Sequence, residues 1–420
     1  MYQERRKRFA ESLPKDAIAI LFSGNAPYKI GDEKYPFSVD RSFYYLTGLD
    51  RENMTLILVK RNNNLSEYLF IERYDEDLAK WVGGRIPPQD ASYTSGIMNV
   101  YWKDETLEIL HSLISYNFST FSNVEIYFDY TRQEANQENR QPQIFTKKIR
   151  DIYPSLRFHD CSPQLALLRM IKEEDEIAKL KEAIYVTKEA IENMMTHTHN
   201  GICEYELEAY FDFVLKRHNC DHSFPSIIAG GQNATILHYL DNDHKIKNNA
   251  LVLCDCGASH KYLNADITRT FPVNGKFSKR QKQIYNIVLD ANKYIMSIIK
   301  PGVTLAQLNG ALIDFYQDKL SQIGLLKRGK TVEDYYWHGV SHMLGLETHD
   351  VSLANYPVRV GNVFTVEPGL YLEDEGIGVR IEDDILVTED GCICLSKDII
   401  KEVDEIEAFM AEHNKAIRNE

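Results

Sequence analysis

Short apolar runs alternate with helix-spaced apolar positions through the first part of the chain. Four runs of strand length are rich in β-branched and aromatic residues and are predicted to form strands: residues 17–24, 54–60, 68–72 and 123–130. Residues 103–115 carry apolar side chains at helical spacing and predict a helix. This mixture predicts a smaller α/β domain over residues 1–160.

The pattern changes between residues 156 and 170, where we place the domain boundary. Just beyond it, one apolar stripe at spacings of three, four and seven predicts a long helix: Ile177, Leu180, Ile184 and Ile191. Helices and hairpin-like strands follow, and predict a second, larger domain over residues 168–420.

This larger region contains a weak internal repeat. The segments ALVLCDCG (250–257) and NVFTVEPG (362–369) are both apolar runs that end in an acid, one further residue and glycine. Each is followed by a strand with a second acid, Asp266 in the first case and Glu382 in the second, at acid-to-acid spacings of 11 and 15. The repeat predicts a pseudo-symmetric sheet with a pair of carboxylates on each half.

Composition narrows the class of protein. The 420 residues are 44% apolar and 26% charged, which is typical of a folded chain of two or three domains. A net charge of −14 argues against a nucleic-acid partner. The basic cluster at residues 5–8 is interpreted as the solvated face of a helix. No apolar run is long enough for a membrane helix, so no membrane partner is expected.

Cysteine usage favours a reducing compartment. The seven cysteines are odd in number and do not have the spacing of a disulfide framework, and the first residues have no apolar signal core. A cytoplasmic location is therefore expected. The pairs Cys254–Cys256 and Cys392–Cys394 lie in apolar runs, and we interpret them as strand packing, because thiolate metal sites usually have C-x2-C spacing.

The four repeated acids are Asp255, Asp266, Glu367 and Glu382. Taken singly, each could be an exposed residue at a strand end. Together, four carboxylates at the tips of two hairpins would repel one another and cost free energy when buried. A pair of divalent metal ions relieves that repulsion, and two such ions also suit the hydrolysis of an amide.

Histidines add to this set. His338 and His342 are four residues apart and would share a face of a helix, but the zinc motif H-E-x-x-H is matched only superficially. One histidine with four carboxylates is an oxygen-rich ligand set, which favours Mn²⁺ and leaves Co²⁺, Fe²⁺ and Zn²⁺ open. His238, His349 and Arg380 have the chemistry to stabilise an oxyanion or supply a proton, with ordinary polar packing as the alternative for each histidine.

The C-terminal region resembles the pita-bread metallopeptidases, specifically aminopeptidase P and prolidase. The matching motifs occur in the family's order over about 250 residues: ILHY (236–239), LCDCG (253–257), YLNADITRTFPVNGKFS (262–278), HGVSHMLGLETHD (338–350), TVEPGLYL (365–372) and GIGVRIEDDILVTEDG (376–391). The segment YPFSVDRSFYYLTGLD (35–50) also resembles the family's smaller N-terminal domain.

The resemblance implies a role for each matched position. The implied metal ligands are Asp255, Asp266, His342, Glu367 and Glu382. The implied catalytic residues are His238, His349, Glu367 and Arg380, with Glu367 also serving as general acid and base. The implied substrate-binding residues are His238, His338, His349, Arg380 and Tyr371.

The family leaves alternatives open. Aminopeptidase P removes the first residue from Xaa-Pro-Yaa peptides, prolidase cuts Xaa-Pro dipeptides, and the motifs favour aminopeptidase P. Methionine aminopeptidases usually lack a large N-terminal domain, and creatinase-like or metal-free relatives lack the full ligand set. An alternative of another class is a non-catalytic peptide-binding protein on the same fold. The resemblance also implies a homodimer or homotetramer.

Overall fold

A computed structural model describes residues 1–118, 124–132, 134–138 and 140–417. The chain divides into two compact units, Met1–Arg169 and Met170–Glu420. Both units combine helices and strands.

The first unit is built on a sheet with the strand order β6-β5-β4-β1-β7-β8, beside a small β2-β3 hairpin. Its strands are β1 (Ala17–Phe22), β2 (Tyr28–Ile30), β3 (Glu33–Lys34), β4 (Thr55–Arg61), β5 (Asn64–Ile71), β6 (Val100–Trp102), β7 (Glu125–Phe128) and β8 (Arg157–Asp160). Its helices are α1 (Tyr2–Ser12), α2 (Arg41–Thr47), α3 (Glu76–Val82), α4 (Pro88–Ser95), α5 (Thr106–Phe118), α6 (Gln141–Ile152) and α7 (Ser162–Arg169).

The strand predictions for this unit are confirmed to within a few residues. β1, β4, β5 and β7 fall in the four predicted runs, although residue 123 of the last run lies outside the described residues. The predicted helix over 103–115 begins as a 3₁₀ turn, Lys103–Glu105, and continues as α5. All six residues of β1 are buried: β4 and β7 pair with its two edges, and helices including α2 and α6 pack against it.

The prediction of a solvated basic face at residues 5–8 is wrong for two of the four side chains. Arg5 and Arg6 are 3% and 0% exposed. The Arg6 guanidinium donates to Glu67 at 2.8 Å and to the carbonyl of Leu46 at 2.8 Å, and Arg5 stacks on Tyr45 at 4.3 Å. Their partners lie some 40 to 60 positions along the chain, so local charge patterning could not identify them.

The second unit holds the repeated segments. Its strands are β9 (Asp221–His222), β10 (Ile227–Gly230), β11 (Leu251–Cys256), β12 (Ala258–His260), β13 (Leu263–Asn264), β14 (Ile267–Pro272), β15 (Val363–Val366), β16 (Gly369–Leu372), β17 (Ile377–Arg380), β18 (Asp383–Val387) and β19 (Cys392–Cys394). Its helices are α8 (Glu174–His197), α9 (Glu204–Arg217), α10 (Lys279–Ile298), α11 (Leu305–Gln322) and α12 (Val403–Ile417).

The two halves of the repeat have the same connectivity. β11 pairs antiparallel with β14 and β15 with β18, and each pair is interrupted by two further strands, β12–β13 in the first half and β16–β17 in the second. The predicted pair of similar hairpins is therefore confirmed. The two halves lie in separate three-stranded sheets, with strand orders β10-β11-β14 and β15-β18-β19, and not in the single sheet that was predicted. The predicted long helix is α8, in which Leu180, Ile184 and Ile191 are buried.

Helix starts in this unit follow the expected capping chemistry. Ser278 before α10 and Thr304 before α11 accept hydrogen bonds from the backbone of Gln281 and Gln307, and both glutamines bond back in capping boxes. The helices and the central strands share one large apolar core.

The seven cysteines are free thiols. Cys254 and Cys256 lie in β11 with no exposed surface, and Cys392 and Cys394 lie in β19. Their placement confirms that both pairs serve strand packing. Among the described residues, no helix is long and apolar enough to cross a membrane.

Candidate metal centre

The two hairpins of the repeat meet at their acid-bearing ends. Asp255 lies within β11 and pairs with Thr268, whereas Asp266 lies just before β14. Backbone contacts join the two halves: the N–H of Glu382 donates to the Thr268 carbonyl at 3.1 Å, and the N–H of Asp266 donates to Asp384 Oδ2 at 3.2 Å. Residues more than 100 positions apart are thereby brought to one point.

A glycine allows the first hairpin to close tightly. A Cβ on Gly257 would lie 1.8 Å from the carbonyl oxygen of Ala265, a distance that no side chain can occupy. Because Ala265 immediately precedes Asp266, this close approach sets where Asp266 returns relative to Asp255.

His342 lies in an irregular segment beside β15. The N–H of Thr365 donates to the His342 carbonyl at 3.0 Å, and the N–H of Glu367 donates to the Val340 carbonyl at 3.0 Å. Residues 338–342 are not helical, so the helical arrangement considered for His338 and His342 is wrong. The backbone N–H groups of Thr365 and Glu367 hold this segment extended beside β15. Local spacing does not reveal these partners.

Three carboxylates surround the His342 ring. Its Nε2 lies 3.2 Å from Asp266 Oδ2, 3.6 Å from Glu367 Oε1 and 4.0 Å from Glu382 Oε1. Its Nδ1 faces the Met343 carbonyl at 3.2 Å, which favours the tautomer with an unprotonated Nε2 when the ring is neutral. Ligand atoms of Asp266, His342 and Glu382 all lie within 4.8 Å of one another.

Burial and mutual repulsion both shift the pKa values of the carboxylates in this group. Burial, and then the neighbouring carboxylates, raise the pKa of Glu382 well above its usual value. Burial also raises the pKa of Asp266 to about 6 and that of Glu367 to about 7, partly opposed in both cases by His342. Burial opposes the charged form of His342, but Asp266 and Glu367 raise the pKa of this histidine to about 9.

Arg380 closes the other side of the group. It is 2% exposed, and its Nη2 donates to Asp255 Oδ2 at 2.6 Å. Its Nη1 donates to the Tyr371 hydroxyl at 2.9 Å, and that hydroxyl lies 2.9 Å from His338 Nε2. These contacts form one chain from Asp255 to His338, whose Nδ1 lies 3.7 Å from Glu367 Oε2.

The donor set fits divalent cations. Asp255 Oδ1 is buried without a hydrogen-bond partner among the described residues, although Asp255 Oδ2 is satisfied by Arg380. A buried carboxylate oxygen left without a donor is costly unless a cation completes it. Burial, and after it the repulsion between neighbouring carboxylates, raises the pKa of Asp266, Glu367 and Glu382, and a bound cation would offset both effects.

Two further histidines lie at the exposed rim of the group. His238 and His349 are both exposed, and the rings of His342 and His349 have centroids 4.3 Å apart. Partial loss of solvent around the His349 ring, followed by the charges of His342 and His238, lowers the pKa of His349. Burial, with Arg380 and His238 as further causes, lowers the pKa of His338 to about 3. The structure thus brings every sequence-predicted site residue into one neighbourhood.

Sequence reasoning missed two residues that support the carboxylates. The Thr268 hydroxyl donates to Glu382 Oε2 at 2.7 Å and accepts from Arg380 Nε at 3.0 Å. Asp384 accepts from the Asp266 N–H, and its Oδ1 is a second buried oxygen without a hydrogen-bond partner in the described part of the chain. Each lies two residues after a predicted acid, and this strand spacing is the signal that could have found them.

Asp350 directly follows His349, a position from which a carboxylate could orient the histidine. In the structure its Oδ2 accepts from Lys172 Nζ at 2.9 Å, in an ion pair whose side chains are both 1% exposed. Asp350 is therefore paired with Lys172 at the start of the second unit. Local spacing does not reveal this partner.

The fold and the site define a divalent-metal-dependent enzyme. Residues 178–389 match metallopeptidase family M24, and residues 2–121 match the N-terminal domain of aminopeptidase P. The chain is 33% identical to the Xaa-Pro aminopeptidase of Haemophilus influenzae, over 97% of this chain and 96% of that relative.

Solved structures are similar over nearly the whole length. A candidate aminopeptidase P from Bacillus anthracis is 45% identical with a TM-score of 0.94, and 98% of each chain is covered. The Escherichia coli aminopeptidase P with the inhibitor Pro-Leu is 29% identical with a TM-score of 0.89, covering 99% of this chain and 98% of that one. This chain belongs to metallopeptidase family M24, within the aminopeptidase P group, and the expected N-terminal and metallopeptidase domains are confirmed.

Proposed function

We propose that this protein is an Xaa-Pro aminopeptidase, which hydrolyses the bond between the first residue of a peptide and a following proline. The convergence of Asp255, Asp266, His342, Glu367 and Glu382 at one largely buried point carries the proposal. The relatives named Xaa-Pro aminopeptidase, and the binding of Pro-Leu by the E. coli protein, support this substrate class. We assign catalysis to the domain of residues 168–420, and we propose that the domain of residues 1–160 assists it.

The metal complement is proposed to be two divalent ions held by Asp255, Asp266, His342, Glu367 and Glu382. Mn²⁺ is the proposed occupant, because the set is dominated by carboxylate oxygens, which hard cations prefer. When bound, the ions would supply Lewis acidity that polarises the scissile carbonyl and activates the attacking water.

Glu367 is the proposed carrier of the proton to the leaving nitrogen. It is half-buried, whereas Glu382 is 2% exposed, so Glu367 is the more accessible of the two acids. Its Oε2 faces His338 Nδ1, and its Oε1 accepts from the Thr365 hydroxyl at 3.3 Å. A carboxylate that is oriented by the protein yet open to the site has the access that a general acid and base requires.

Arg380 and Tyr371 form the proposed wall of the site. Each nitrogen of the Arg380 guanidinium donates within the protein, to Asp255, Thr268 and Tyr371. This arrangement supports a role in holding Asp255 in place, and direct contact of Arg380 or Tyr371 with substrate stays a prediction.

His238 and His349 are the proposed peptide contacts. Both are exposed. His349 lies within electrostatic range of His342 and Asp255, and His238 lies within electrostatic range of His349 and His338. A neutral imidazole can donate to a substrate carbonyl or accept from an N–H. His338, whose pKa is lowered by burial, is proposed to present a neutral ring from deeper in the site.

The test is a product assay with purified, Mn²⁺-loaded protein. An Xaa-Pro-Yaa tripeptide, an Xaa-Pro dipeptide and an Xaa-Ala-Yaa tripeptide are compared, each with and without a chelator. Cleavage of the Xaa-Pro-Yaa tripeptide alone, abolished by the chelator and restored by Mn²⁺, is expected.

Other outcomes refute the proposal in different ways. Cleavage of the dipeptide alone would identify a prolidase with the same metal ligands. Cleavage of the alanine tripeptide at an equal rate would remove the requirement for proline. Metal-loaded protein that binds Xaa-Pro-Yaa peptide without cutting it would point to the non-catalytic alternative.

The proposal extends to assembly and location. A homodimer or homotetramer is supported by large exposed apolar side chains on the first unit, including Trp81 and Tyr93 at 86% and 93% exposure. A cytoplasmic location is supported by the free thiols. Light scattering coupled to size-exclusion chromatography measures the oligomeric state directly.

A further inference from the structure

The segment from residue 230 to 244, which carries His238, has little regular structure of its own. It begins with a 3₁₀ turn, Gly231–Thr235, and continues without helix or strand through His238. His238 is exposed, whereas the next residue, Tyr239, is 5% exposed. The direction of the His238 side chain therefore depends on what holds this segment.

One buried carboxylate holds the segment on both sides of His238. Glu204, the first residue of α9, has no exposed surface. Its Oε1 accepts from the Gly230 N–H at 2.8 Å and from Asn233 Nδ2 at 2.9 Å. Its Oε2 accepts from the Tyr239 hydroxyl at 2.8 Å and from the His244 N–H at 2.9 Å.

Glu204 is one of three ionisable residues in a partly exposed cluster that could be considered for a metal. Ligand atoms of Glu204, Asp243 and His244 lie within 4.8 Å of one another. A carboxylate has about four lone-pair directions, and four protein donors already occupy those of Glu204. His244 Nδ1 also lies 2.6 Å from Asp243 Oδ1, so the cluster is internally satisfied. These contacts hold the segment in place and do not form a cation site. We call Glu204 with its four donors, on Gly230, Asn233, Tyr239 and His244, the clamp.

Tyr239 connects the clamp to the metal centre through packing contacts. Its ring packs in an apolar cluster with Leu253 and Tyr371. Leu253 lies in β11 two residues before Asp255, and the Tyr371 hydroxyl bonds to Arg380. Because Tyr239 directly follows His238, fixing its hydroxyl and its ring also fixes the backbone from which His238 projects.

A close backbone contact seats the same segment on β17. A Cβ on Gly378 would lie 1.9 Å from the Ala234 carbonyl oxygen, so only glycine allows this approach. β17 ends at Arg380, two residues beyond Gly378. The clamped segment therefore rests on the two strands that carry Asp255 and Arg380.

We infer that Glu204 is a positioning residue, which holds the segment 230–244 so that His238 points at the substrate. The inference rests on the proposed function through the role given to His238. Glu204 lies outside every motif of the site. Its carboxylate binds groups of the protein and not the substrate.

The test is a double-mutant cycle in the metal-loaded enzyme. Glu204→Gln replaces an accepting oxygen by an NH₂ group that faces two donors, so the segment should loosen. Displacement of His238 should lower kcat/KM for an Xaa-Pro-Yaa tripeptide by about tenfold or more. In a His238→Ala background, Glu204→Gln should lower it little further, because no imidazole is left to position.

The controls separate positioning from a general loss of fold. Glu206→Gln changes an exposed carboxylate on the same helix and should leave kcat/KM unchanged. Tyr239→Phe removes a single donor to Glu204 and should lower kcat/KM by a smaller factor, which should likewise disappear in the His238→Ala background. If Glu204→Gln does not fold, Tyr239→Phe replaces it in the double-mutant cycle. An equal loss from Glu204→Gln in the wild-type and His238→Ala backgrounds, which means fully additive effects of the two substitutions, would overturn the inference.

Hydrogen exchange provides a readout that does not depend on activity. In Glu204→Gln, amides of residues 230–244 should exchange at least about tenfold faster, while those of α10 keep the wild-type rate. Unchanged exchange in the segment would overturn the clamp. A wild-type chain that cleaves no Xaa-Pro peptide would refute the proposed function instead, and the exchange result alone would then decide whether Glu204 holds the segment.

Discussion

Replacing Thr268 by valine should weaken metal binding while leaving the fold in place. Valine has the shape of threonine but lacks the hydroxyl, which donates to Glu382 Oε2 at 2.7 Å and accepts from Arg380 Nε at 3.0 Å. Thr268 has no exposed surface, so water does not replace the lost group from bulk solvent.

The expected magnitude follows from what the substitution leaves behind. It removes one hydrogen bond that orients a proposed ligand and leaves a buried guanidinium N–H without its acceptor, a loss on the order of 2 kcal/mol. If this loss falls on the metal-bound state, the Kd rises by about 30-fold. That value lies inside the range of about 10- to 100-fold seen when the partners of metal ligands are changed.

Titration calorimetry of the metal-free protein with Mn²⁺ measures this change, with a competing chelator for the tight sites. Thr270→Val is the matched control: Thr270 is equally buried on the same strand, and its hydroxyl bonds to the Arg380 backbone and not to a carboxylate. Thr268→Ser keeps the hydroxyl and should bind Mn²⁺ nearly as the wild type does. Equal affinity in Thr268→Val and Thr270→Val would refute the reasoning.

The remaining predictions concern the ligands, the rim and the stability of the second unit. Glu382→Ala should abolish metal-dependent activity with little change in circular dichroism, and near-normal turnover with full metal content would contradict its assignment as a ligand. His349→Ala should reduce kcat far more than the metal content measured by elemental analysis; loss of stoichiometric metal would make this residue a ligand instead. Glu407 is 8% exposed, and although burial opposes its charge, hydrogen bonds from Lys282, the Phe277 N–H and Lys276 lower its pKa below 4.5. A lowered folded-state pKa contributes stability that is present above pH 4.5 and is lost as the pH falls through the folded-state pKa. Glu407→Gln should therefore lower the unfolding midpoint at pH 7, by an amount corresponding to about 1 kcal/mol, and the difference from wild type should shrink on acidification; a difference independent of pH would contradict this origin.

Much of the secondary structure could be predicted because its signals are local. The run AIAILF is apolar on both faces, as a strand whose two faces are both covered requires, and it forms β1 with all residues buried. The stripe through Leu180 and Ile184 has the period of a helix and lies on the buried side of α8. Where a partner is distant in sequence, local pattern failed. Arg6 looks like a solvent-facing charge until β5 supplies Glu67 and α2 supplies the carbonyl of Leu46, and Arg5 until α2 supplies the ring of Tyr45.

The sequence by itself determined the chemical types at the site and the two hairpins that bear them. The acids of VLCDCG and FTVEPG interrupt apolar strands, and an unpaired carboxylate in such a strand needs a compensating charge. Only the tertiary structure decided which groups lie close to each carboxylate and compensate its charge. His342 reaches Asp266 because its segment runs extended beside β15, and Thr268 reaches both Glu382 and Arg380 across the junction of the hairpins. Contacts within the site join residues up to 125 positions apart. Their geometry depends on backbone pairing over the whole domain, which no local pattern contains.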